Sequence, residues 1–88
     1  MAEHEGHHIV PGTLVRSQCT VSLWSCSLSD RVASNDQRVL WHLKPSSLCT
    51  VIASVTSNHP LYGIIHEVFV ITGEHVGWTE SKYFDLVE

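Results

Sequence analysis

Apolar and polar residues alternate along much of this chain with a period of two, the signature of half-buried β-strands. The strongest run is Ile64–Ile71, rich in β-branched and aromatic residues. It meets Thr72-Gly-Glu-His75 and returns through Val76–Thr79. Gly73 can adopt the positive φ of a tight turn, so this stretch predicts a hairpin. Upstream, Cys19–Trp24 places Cys19, Val21 and Leu23 on one face, expected to be the core face. Thr20, Ser22 and Trp24 then fall on the more exposed side. Arg38–Leu43 puts Val39, Trp41 and Leu43 together, and Leu48–Val55 puts Cys49, Val51, Ala53 and Val55 inward. A first strand, Thr13–Ser17, follows Pro11 and Gly12. Turns are expected at Lys44–Ser47, where Pro45 fixes φ, and at Thr56–Pro60. No helical period is sustained, so the pattern predicts an all-β barrel or sandwich.

Two stretches carry no period. Residues 1–8 hold His4, His7 and His8 among acidic and small residues. They read as a mobile tail, leaving 9–88 as a single domain. Residues 25–37, rich in Ser, Asn and Asp, read as a long loop with one helical turn from Ser29. Loops of that length in small domains are uncommon and often functional.

Composition then narrows the classes. Eighty-eight residues make room for one core. Five Lys and Arg, scattered in a chain of net charge −4, form no stripe for a phosphate backbone, so nucleic acid is not expected as a partner. No apolar run approaches the ~20 residues that span a bilayer, so no membrane partner is expected. The polar start, Met1-Ala-Glu-His-Glu, lacks the pattern of a signal peptide, and a cytoplasmic location is expected. Cys19, Cys26 and Cys49 are odd in number and without C-x-x-C spacing, which fits free thiols.

The segment Gly73-Glu-His-Val-Gly-Trp-Thr-Glu-Ser-Lys-Tyr-Phe-Asp-Leu-Val resembles the end of an SH3-like barrel. In that family a Gly-aromatic step leads to a short 3₁₀ turn with a Tyr and a last apolar strand. Leu43-Lys-Pro-Ser-Ser-Leu-Cys-Thr-Val-Ile is similar to the approach to the barrel's second sheet. The likeness runs from about Thr13 to Glu88 and is nearest to bacterial SH3-like domains, many of them targeting or scaffolding modules. It implies an SH3-like barrel of five to six antiparallel strands with a short 3₁₀ turn near the C-terminus. Glu80 stands where peptide-binding eukaryotic members carry Pro, and Thr79 where an aliphatic usually enters the core. Tyr83, and less closely Trp78, match the aromatic groove of that family.

Catalytic patterns are lacking: there is no Gly-x-Ser-x-Gly elbow, Gly-rich phosphate loop or paired acid. Cys49 with His42 or His66 is the one conceivable dyad, and a buried thiol is the plainer reading. No enzyme, metal site or cofactor is expected. Aromatics offer large apolar area with few rotors, which suits anchoring a partner. The expected function is a non-catalytic protein- or peptide-binding module anchored by Trp78 and Tyr83. Trp24 and Tyr62 extend its binding surface, and Asp30 and Asp36 lie in the loop that sets specificity. The alternative is a homo-oligomeric structural or accessory protein, the partner being a second copy. A small metal- or thiol-dependent protein comes third.

Overall fold

The computed structural model describes residues 7–28 and 38–87. Seven antiparallel strands form one curled sheet, a half-barrel. They are β1 Leu14–Ser17, β2 Val21–Trp24, β3 Val39–Leu43, β4 Leu48–His59, β5 Gly63–Thr72, β6 His75–Glu80 and β7 Phe84–Leu86. A 3₁₀ turn, Ser81–Tyr83, joins the last two. Their order across the sheet is β3-β2-β6-β5-β4-β1-β7. The count is seven rather than the expected five to six; the short terminal run Phe84–Leu86 pairs with β1, and β2 and β3 form a further hairpin between β1 and β4 in the chain.

Curling follows from where the apolar faces point. Leu43 on one edge strand and Phe84 on the other join the same core as Val15, Val21, Leu23, Cys49, Val51, Val68 and Val70. Residues at opposite edges share a core only if the sheet bends round it. Ser17, itself buried, helps to close the bend: its hydroxyl donates to the Lys44 carbonyl at 2.8 Å and accepts from the Ser47 amide at 2.9 Å.

Local sequence explains most of the registers. In β2, Val21 and Leu23 are buried while Ser22 and Trp24 are half-buried, as alternation requires, but Cys19, expected on the same core face, is exposed, because the strand begins only at Val21. Gly73 takes φ 57° at the β5–β6 turn, the positive value expected of Gly at the first central position of a type II′ hairpin. β4 corrects two expectations. A bulge between Val51 and Ala53 breaks the inward series, so Cys49 and Val51 are buried but Ala53 is half-buried and Val55 is exposed. Thr56–His59, expected to turn, continues as strand, and the reversal comes at Pro60–Tyr62. On β3 only Leu43 is buried, while Val39 and Trp41 stay exposed at the sheet's edge.

At the N-terminal end the chain is tied down from His7. The Ser81 hydroxyl accepts from the His7 amide at 3.2 Å and donates to the His7 carbonyl at 2.6 Å. Ile9 then enters the core, and its carbonyl accepts the Ser54 hydroxyl. These contacts begin within the span read as a tail, of which Met1–Gly6 lies outside the described residues.

Candidate functional site

The outer face of β2, β5 and β6 carries three aromatic residues, and the register places them side by side. Trp24 stands opposite Trp78, and Trp78 opposite Phe69. The Phe69 and Trp78 rings meet at 5.2 Å between centroids, tilted by 48°. Gly77 makes this approach of β2 to β6 possible: a β-carbon there would lie 2.5 Å from the Leu23 Cβ.

Where β2 passes the 3₁₀ turn, a cleft of about 260 Å³ opens. Trp24 and Tyr83 line it, with Thr20, Ser22 and Glu80 supplying polar atoms and Val21 and Thr79 completing it. The 3₁₀ turn fixes Tyr83, whose carbonyl accepts the Gln18 amide at 2.8 Å. Lys82 lies 3.6 Å from the Glu80 carboxylate and 5.4 Å from the centre of the Tyr83 ring. The result is an aromatic-walled slot with one acid, partly balanced by that lysine. Such a lining combines apolar contact area with polar groups that fix orientation.

Behind the slot stands Glu67, directly across from Glu80 in the β5–β6 register. Like charges in that arrangement repel. Glu67 turns instead to Leu28, whose amide donates to both carboxylate oxygens, at 3.0 and 2.8 Å. It is 1% exposed, which the sequence does not signal, because a Glu within an apolar strand reads as a solvent-facing position. The base of the loop is closed by the Ser25 amide on the Arg38 carbonyl at 2.8 Å, and by the Arg38 amide on the Ser25 hydroxyl at 3.2 Å.

The expected site residues are thus distributed. Trp24 and Tyr83 come together at the cleft. Trp78 neighbours Trp24 across the strands and packs on Phe69 but does not line the slot. Tyr62, 68% exposed, stacks on His59 at the turn between β4 and β5. Asp30, Asp36 and the helical turn from Ser29 lie outside the described residues.

The residues weighed for thiol chemistry do not converge. Cys49 is buried, and burial pushes its thiol above its ordinary range, a hydrogen bond with Thr72 pulling the other way. His66 meets the Thr56 hydroxyl at 2.9 Å, and His42 the Ser22 hydroxyl at 3.1 Å. His66 lies six residues along β5 from Thr72, roughly 20 Å at strand spacing. Among the described residues, no three His, Cys, Asp or Glu side chains group as a metal site would need. Nor is any described helix long and apolar enough to cross a membrane. Compared with protein-family models, curated proteins and solved structures, the chain matches none.

Proposed function

We propose that this chain is an SH3-like, non-catalytic module that captures an extended peptide segment of a partner protein in the Trp24–Tyr83 cleft. The observation that carries the reading is the slot itself. Two aromatic side chains from separate elements line it together with Glu80 and the hydroxyl-bearing Thr20 and Ser22. An apolar side chain of the peptide would seat between the rings, and its backbone or a basic neighbour would meet the polar wall. Element order supports the SH3-like assignment: a long β2–β3 excursion follows the first strand, and a 3₁₀ turn precedes the last.

Panning a random peptide library on the intact protein, then calorimetry on the selected sequences, tests this. Trp24→Ala and Tyr83→Ala are each expected to weaken binding by about 2 kcal/mol, the usual cost of a buried anchor. Selected peptides that bind both variants as tightly as the parent would overturn it.

A second reading, self-association, is favoured by a different surface. Leu14, Thr50, Ile71 and Val76 form one row across four strands of the outer face, with Leu14 and Ile71 exposed. Ile52 at the bulge and Leu48 are exposed too. Solution mass by light scattering across a concentration range tests it: a dimer that Ile71→Asp returns to monomer supports this row as the interface, and a strict monomer or an unaffected dimer rejects the reading.

A further inference from the structure

Resting on the peptide-cleft reading, we infer that Glu67 is a positioning residue of the cleft, holding the segment that leaves β2 and so setting where Trp24 stands. Trp24 is the last residue of β2, and only Ser25, Cys26 and Ser27 separate it from Leu28. Across that segment Ser25 is tied to Arg38, Ser27 is buried and Cys26 half-buried. Its far end is fixed by the fork of Glu67 oxygens on the Leu28 amide. A carboxylate is a stronger acceptor than a neutral group, and burial keeps water from competing for the Leu28 amide.

The geometry explains why an acid occupies this place. Glu67 shares the outer face with Phe69 and Trp78 on paired strands, and Glu80, its cross-strand neighbour, is a wall of the cleft. With its carboxylate turned to Leu28, Glu67 leaves Glu80 beside Lys82, and the two acids are held by different partners. One buried side chain therefore fixes one side of the slot: Trp24 is held through the segment that Glu67 anchors, while Glu80, on the facing strand, is held by Lys82. Gln in its place would present an amide of lower acceptor strength, and one of its two polar ends would be a donor facing a donor.

The test uses the full chain without ligand. Amide hydrogen exchange at Leu28 and the Trp24 indole N–H resonance are read by NMR in the parent protein and in Glu67→Gln. In the parent, Leu28 is expected to be protected; exchange as fast as an open loop amide would overturn the proposal with no variant needed. In Glu67→Gln, Leu28 is expected to exchange at least tenfold faster and the Trp24 indole resonance to shift, while Val51 and Val70 amides keep their protection. Faster exchange at Leu28 with an unmoved Trp24 signal would also overturn it, leaving a local tie only. Should Glu67→Gln not fold, Leu28→Pro removes the donor while retaining the acid, and the Trp24 signal is read there by the same criterion. None of these readings uses a peptide. Failure of the library search thus tells against the cleft, and failure of these signals tells against Glu67.

Discussion

At Gly77 the chain leaves no space for a side chain. An added β-carbon would stand 3.1 Å from the Leu23 carbonyl carbon and the Trp24 carbonyl oxygen, besides its clash with the Leu23 Cβ. Gly77→Ala should therefore push β2 off β6, at a cost of about 1–3 kcal/mol in urea unfolding. Ser46 is the opposite case: it takes φ 66° in the turn after Pro45, a conformation that disfavours a side chain. Ser46→Gly is expected to raise stability by about 0.5–1 kcal/mol, read by the same measurement. Cys49 supplies a pH signature. Its raised thiol means the folded state keeps the proton that the unfolded chain releases above about pH 9. Stability should be undiminished below that pH and fall as pH rises beyond it, and Cys49→Val should flatten the alkaline limb. In the native protein a thiol reagent should reach exposed Cys19 promptly and Cys49 only on unfolding.

Among the elements, legibility followed the reach of each signal. The β5–β6 hairpin was readable because Gly73 and an unbroken β-branched run are both local. The 3₁₀ turn with Tyr83 was readable from a resemblance of short motifs. The bulge at Ile52 was not, since nothing in Val51-Ile-Ala53 marks it, and it reversed the exposure expected of Val55. Thr56–His59 carried turn-forming residues, yet pairing with Gly63–His66 held it as strand. Part of the cleft was foreseen: Trp24 and Tyr83 were named, while Thr20, Ser22 and Glu80 became visible only when β2 was set beside β6. Past Glu67, β5 has no partner in β6, so among the described residues the outer part of the β4–β5 hairpin pairs as a ribbon of two strands. Such ribbons are marginal alone. Amides of Ser57–Ile65 should exchange much faster than those of Val51, Val68 and Val70 in deuterium exchange by mass spectrometry.

For the whole molecule, the pairing of β1 with β7 has a consequence in time. Residues near the start of the described chain pair with β4 on one side, and their partners on the other side exist only once the last strand has been made. Val15 needs Leu86 beside it, Ser17 needs Phe84, and His7 needs the Ser81 hydroxyl. Closing so long a loop comes late and slowly in folding. A nascent chain on the ribosome therefore holds its apolar β4 and β5 strands without a finished barrel around them. Completion waits until Phe84–Leu86 has cleared the exit tunnel, and until then the apolar faces of β4 and β5 stay open to water.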